Sequence, residues 1–245
     1  MRIDILTLFP EMFEGVLGSS ILKRAADPYL EVAENLTAPR VAYHLTNIRD
    51  HTNDKHRKVD QAPYGGGPGM VFQCQPVWDA VMAVEAEDPI PATRIFMTPQ
   101  GARFDQSMAE QLVTHPRLLI IAGHYEGIDE RVVEKLNPIT EISIGDFVLS
   151  GGEVAAMALI DAVVRLIPGV LGDAESAHQE SFSRHSGRKL DYPHFTRPAT
   201  WMGISVPPVL LSGNHAAIET WRRDQAQSRT KQRRPDLIQD DPEPS

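Results

Sequence analysis

Short apolar runs alternate along the chain with segments whose apolar positions recur every three to four residues. RIDILTLF (2–9), RIFMT (94–98) and RLLIIAG (117–123) are short and largely apolar, and EISIGDFVL (141–149) begins the same way, so each is predicted as a buried strand. Between them QPVWDAVMAVEAE, DQSMAEQLVTH and IDERVVEKL carry helical spacing. Strands of this kind interleaved with amphipathic helices predict an α/β fold, a mainly parallel sheet with helices on both faces. GEVAAMALIDAVVRLI (152–167) is a further helix, apolar around much of its circumference as an interface helix would be, and stopped by Pro168 and Gly169.

The character changes at residue 168. Residues 168–197 are rich in Gly, Ser, His and charge without any period, as expected of a flexible linker or a loop that orders on binding. From Pro198 the pattern reads as helical and polar: a short piece at PATWMG, a turn at VPPVLLSG, and a long last helix that Asn214 can cap. The predicted organisation is therefore a domain over 1–167, a linker over 168–197 and a small helical domain over 198–245.

The 245 residues suffice to bury a sizeable core. No apolar run approaches the ~18 residues that span a bilayer, and the N-terminus lacks a basic region and cleavage site, so a cytoplasmic protein without a membrane segment is expected. A single cysteine, Cys74, excludes an internal disulfide framework, and the nine histidines form no H-x-x-x-H or Cys/His cluster. The net charge of −9 argues against nucleic acid as a partner, but its distribution argues the other way. WRRDQAQSRTKQRR (221–234) holds six Lys/Arg against one Asp, KHRK (55–58) is a second basic run, and RHSGRKLDYPHFTR (184–197) is a third.

Residues 63–70, PYGGGPGM, bring four glycines and two prolines together. The spacing is that of neither a P-loop nor a dinucleotide fingerprint. Three further loops, TPQG (98–101), AGHYEGIDER (122–131) and IGDFVLSGGE (144–153), stand after the predicted strands, where open α/β sheets bind ligands. They combine glycine with polar groups and place no Lys or Arg for a phosphate, which suits a nucleoside recognised through backbone groups.

In this order PYGGGPGM, GHYEGIDERV, SIGDFVLSGGE, DAVVRLIPGVLG, PHFTRP and VPPVLLSGNHAAIETWR resemble the bacterial tRNA (guanine-N1)-methyltransferases of the TrmD family, in the SPOUT class, from residue 1 to about 238. The resemblance implies a deep C-terminal trefoil knot in the sheet domain and a tRNA-binding C-terminal domain. It implies methyl transfer from S-adenosylmethionine to N1 of guanosine 37 of tRNA, 3′ to the anticodon, by a homodimer whose subunits share each active site. Pro99, Gln100, Gly123, Tyr125, Glu126, Ile144, Gly145, Leu149 and Gly151 would hold the methyl donor, and His56 and Asp60, with the glycine-rich run, would face the guanine. Arg165 would stabilise O6 and Glu180 would act as base. Glu126 would help hold a magnesium ion. Two positions depart from the family pattern: Glu180 stands where Asp is expected, with Asp173 and Glu175 as less well aligned candidates, and Phe147 stands where Tyr is usual.

Two other classes fit part of the sequence. A small-nucleotide-binding α/β domain leaves the basic last helix unexplained, and a non-catalytic RNA-binding module leaves the glycine-bearing loops unexplained.

Overall fold

The computed structural model describes residues 1–27, 31–32, 36–37, 40–171 and 180–238. The chain divides into two compact units, Met1–Gly172 and Asp173–Ser245.

In the first unit the elements run β1 (Arg2–Thr7), α1 (Glu11–Leu17), α2 (Ser20–Ala25), β2 (Glu31–Val32), β3 (Leu36–Thr37), β4 (Ala42–Asn47), β5 (Asp60–Gln61), β6 (Val71–Phe72), α3 (Cys74–Ala86), β7 (Thr93–Arg103), α4 (Gln106–Leu112), β8 (Arg117–Ala122), α5 (Glu130–Lys135), β9 (Thr140–Ser143) and α6 (Glu153–Val164). Five strands form one sheet in the order β4-β1-β8-β7-β9, every pairing parallel. The predicted α/β class is therefore what the chain adopts.

Side chains of successive residues leave opposite faces of a strand, so a strand covered on both sides must be apolar throughout. Ile3, Ile5, Leu118 and Ile120 enter one core with α1, α2, α4 and α6, while Leu6, Leu119 and Ile121 enter the other with α3 and α5. Asp4 also leaves β1 and is fully buried, matched by Arg117 at 2.8 Å. That guanidinium donates in addition to the carbonyls of Val84, Asp88 and Ile90, tying the end of α3 to the start of β8. Helix α6 buries Ala155, Ala156, Leu159, Ile160, Val163 and Val164 within its own unit, which accounts for most of its apolar circumference. Val154 remains exposed on it.

The second unit contains β10 (Thr200–Trp201), β11 (Ile204–Ser205), α7 (Pro208–Leu211) and α8 (His215–Arg233). Asn214 caps α8 as expected, its side-chain oxygen accepting from Ala217 N at 3.1 Å. The PATWMG segment differs from expectation: it is a hairpin, Thr200 opposite Ser205 and Trp201 opposite Ile204. Its turn places Met202 at φ 50° and Gly203 at φ 79°, the pair of positive values that a tight two-residue hairpin needs. VPPVLLSG, expected as a turn, holds one helical turn begun by Pro208. Residues 180–192 pack on α8: Leu190 N donates to the buried Thr230 hydroxyl, and the Arg222 guanidinium covers the Tyr192 ring at 4.9 Å.

Candidate active site

Strand β7 shows how the sheet opens a site. Both Met97 and Ala102 pair with Ile142 of β9, so residues 98–101 leave the ladder and return to it. Pro99 has no N–H to give the ladder, which suits an excursion. Gly101 lets the chain return, because a Cβ there would overlap the backbone of Glu141 and Ile142.

That excursion forms one wall of a cleft of ≈ 310 Å³, and the loops after β8 and β9 form the others. The volume lies at the small end of the range for small-molecule sites. All nine residues expected to hold a methyl donor line it: Pro99, Gln100, Gly123, Tyr125, Glu126, Ile144, Gly145, Leu149 and Gly151. The loops are joined at their base, where Gly152 N donates to Gly123 O at 2.6 Å and His124 bridges Gly151. Ser143 Oγ accepts from Gly145 N and donates to Gly145 O, shaping the start of the third loop. Phe147 lies against Gly145, whose absent side chain leaves room for the ring.

The glycine-rich run docks on this cleft. Glu126 N donates to Met70 O at 2.9 Å, and Phe72 N donates to Gly127 O at 3.0 Å. Gly69, at φ 87°, packs directly against the Glu126 side chain, where any Cβ would overlap the carboxylate. Tyr64 stands 99% exposed at the head of the run, an aromatic that sequence reasoning did not single out. Asp60 lies on β5 opposite Phe72, hence on the same small sheet. His56 is exposed, and its N–H donates to Asp54 at 2.8 Å. The backbone N–H groups of His56 and Lys58 hold the Asp54 carboxyl below its usual range.

Behind the cleft, Asp129 caps α5 by accepting from Arg131 N, and the Arg131 guanidinium grips the same carboxylate, holding it well below the usual carboxylate range. Burial, and then Asp129, pushes the Cys74 thiol up, so it is a poor nucleophile. Sequence reasoning also passed over Glu153. It is 1% exposed at the start of α6, and its Oε1 accepts from the Thr7 hydroxyl at 2.8 Å. Only its place directly after two glycines could have flagged it.

The family described as tRNA (Guanine-1)-methyltransferase TrmD matches residues 1–240. The chain belongs to this family. Curated relatives named tRNA (guanine-N(1)-)-methyltransferase are similar over nearly the whole length. The protein of Dehalococcoides mccartyi is 53% identical over 98% of this chain and 91% of its own. That of Chloroflexus aggregans is 53% identical over 97% and 88%, and that of Listeria innocua 50% identical over 99% and 94%. The chain is thus an enzyme of a methyltransferase family, and its parallel sheet is that of the SPOUT class.

Of the two residues the TrmD resemblance assigns to chemistry, Arg165 caps the C-terminus of α6 in the first unit and Glu180 opens the described part of the second. Both are half-buried. Asp173 and Glu175 lie outside the described residues. Among the described residues, Asp4, His44 and Glu87 group closely enough to suggest metal ligands, but Arg2 pairs with both carboxylates and Arg117 with Asp4, so the two acids serve a structural ion-pair network. No helix among the described residues is long and apolar enough to cross a membrane.

Proposed function

We propose that this enzyme transfers the methyl group of S-adenosylmethionine to N1 of guanosine 37 of tRNA. The observation that supports this most is the convergence of the nine expected donor-binding residues on one cleft between the excursion of β7 and the C-terminal ends of β8 and β9. The cleft's walls fit such a ligand: they offer backbone groups at Gly123, Gly145 and Gly151 and apolar surface from Phe147, Val148 and Leu149. When bound, the methyl donor would supply a methyl group on a sulfonium sulfur, which leaves as a neutral thioether as the new N–CH3 bond forms.

The chain's own residues then have two tasks. Guanine N1 carries a proton at neutral pH, so Glu180 accepts it, and Arg165 donates to O6 as negative charge develops there. His56, Asp60 and the glycine-rich run stand beside the guanine. Glu126 offers a magnesium ion a single carboxylate, which suits an ion that keeps several waters. A trefoil knot around the three loops and a homodimer that pairs Arg165 of one subunit with Glu180 of the other belong to the same reading. The exposure of Phe147, Val148 and Val154 near the cleft supports the dimer.

Incubation with methyl-labelled donor and unmodified tRNA carrying G at position 37 tests the reaction; absence of 1-methylguanosine overturns it. Glu180→Gln should lower single-turnover rates ~10²-fold or more with donor binding intact. A wild-type rate and pH profile would remove Glu180 from the mechanism. Sedimentation tests the dimer, and mixing Arg165→Ala with Glu180→Gln subunits should restore activity if the site is shared.

A further inference from the structure

We propose that Glu153 and His124 form a positioning pair that closes when the cleft is filled, drawing the loop after β8 against the loop after β9. The inference rests on the reading that the cleft takes S-adenosylmethionine.

Glu153 is anchored from below. Thr7 at the end of β1 donates to its Oε1 at 2.8 Å, and the start of the 12-residue helix α6 favours its negative charge. Its other oxygen faces His124 Nδ1 at 3.7 Å, beyond hydrogen-bond distance. That Nδ1 is buried and has no hydrogen-bond partner among the described residues. A buried ring nitrogen that faces a carboxylate just out of reach has one nearby way to be satisfied, by donating its N–H to that carboxylate.

Gly151 makes the approach possible, because a Cβ on it would overlap both Glu153 Oε2 and His124 Nδ1. His124 and Gly151 line the cleft from different loops, so contact between Nδ1 and Oε2 tightens the cleft. A closure of under ~1 Å suffices to reach ordinary hydrogen-bond length. The imidazole donates equally as its Nδ1–H tautomer or as imidazolium. Its ring packs on Phe9 at 5.1 Å and on Tyr125 at 5.0 Å, which fixes the direction in which Nδ1 points.

His124→Phe keeps the ring and removes the donor, whereas His124→Asn replaces the ring by an amide N–H near the place of Nδ1. Binding of S-adenosylmethionine is followed by calorimetry, with melting temperatures measured with and without it. For His124→Phe, affinity should fall about tenfold and the donor's KM should rise with kcat at saturation largely kept. The melting temperature without donor should stay unchanged, since the bond is absent there. His124→Asn should recover most of the affinity. Adding Glu153→Gln to His124→Phe should cost no further affinity. Wild-type affinity in His124→Phe, a loss that Asn does not recover, an additive loss in the double variant, or an equal drop in melting temperature without donor each overturns the pairing. If the wild-type protein itself fails to bind S-adenosylmethionine, the function proposed above fails first and the pair falls with it.

Discussion

Replacing Gly152 by alanine tests whether close contact between two loops sets the shape of the cleft. At φ −78° the position is conformationally ordinary for any residue, so the substitution probes sterics alone. The new Cβ would lie 2.9 Å from Gly123 N, 3.0 Å from Ala122 Cα and 3.1 Å from Met97 Cβ. Comfortable separations are about 3.5–4.0 Å. All three neighbours belong to the backbone or to Cβ atoms of β7, β8 and the loop after it, so none can swing aside as a side-chain tip would. Relief therefore requires residues 151–153 to move outward by about 0.5–1 Å. That displacement lengthens the 2.6 Å bond from Gly152 N to Gly123 O and shifts the start of α6. Overpacking of this kind costs ~1–3 kcal/mol. At about 2–4 °C per kcal/mol for a domain of this size, the melting temperature should fall by ~2–12 °C. Because Gly123 and Gly151 line the cleft, affinity for the methyl donor should fall in the same variant, measurable by calorimetry. An unchanged melting temperature with unchanged donor affinity would refute the argument, since it would mean the loops can part without consequence.

Other substitutions separate stability from recognition. Asp4→Asn leaves the buried Arg117 without its carboxylate and should cost ~3–5 kcal/mol, read from denaturant midpoints; an unchanged midpoint would show that the carbonyls of Val84, Asp88 and Ile90 suffice. Asp129 has a depressed folded pKa, so its stabilisation is present above the unfolded carboxylate range and lost as pH falls below it. The melting-temperature gap between wild type and Asp129→Asn should therefore narrow below about pH 4, by a small amount because Arg131 is exposed, and a constant gap would count against the pairing. Arg223, Lys231 and Arg233 are exposed on α8, whereas Arg222 is engaged with Glu219 and Tyr192. Neutralising those three should flatten the log K against log salt slope for tRNA by up to ~3, and an unchanged slope would take α8 off the RNA.

The strands legible in the sequence are those buried on both faces. RIDILT and RLLIIA read as strands because they are largely apolar and their few polar side chains are matched inside the fold, Asp4 by Arg2 and Arg117 and Thr7 by Glu153. β4 left no such trace: as an edge strand, its AYHLTN mixes exposed and half-buried positions. The hairpin at 200–205 was misread because its turn sets Met202, not Asn or Asp, in the left-handed region, so the usual turn signal is missing. Residues 180–192 order through turns and single hydrogen bonds to α8, which leave no period to detect. At the cleft, the glycines after the strands mark the loops that line it, and the family motifs pick out Tyr125 and Glu126 among the lining residues. Glu153 was not readable, because an acid in the first turn of a helix is ordinarily a solvated dipole partner, and only the fold turns it inward against Thr7.

The glycine-rich run has a further property that follows from handedness. At Gly65, Gly66 and Gly67 nothing lies within 4 Å of where a side chain would point, yet φ is 86°, 79° and 116°. There is space for alanine at each and strain for L-alanine at each, at ~1–2 kcal/mol per residue in the left-handed region. Chirality, not crowding, closes these positions. A D-alanine introduced by chemical ligation would occupy its own favoured region there, with open space around its methyl group. Translation can supply only one achiral residue, so these three sites have no substitute of equal comfort among the encoded amino acids, although each has room for a Cβ.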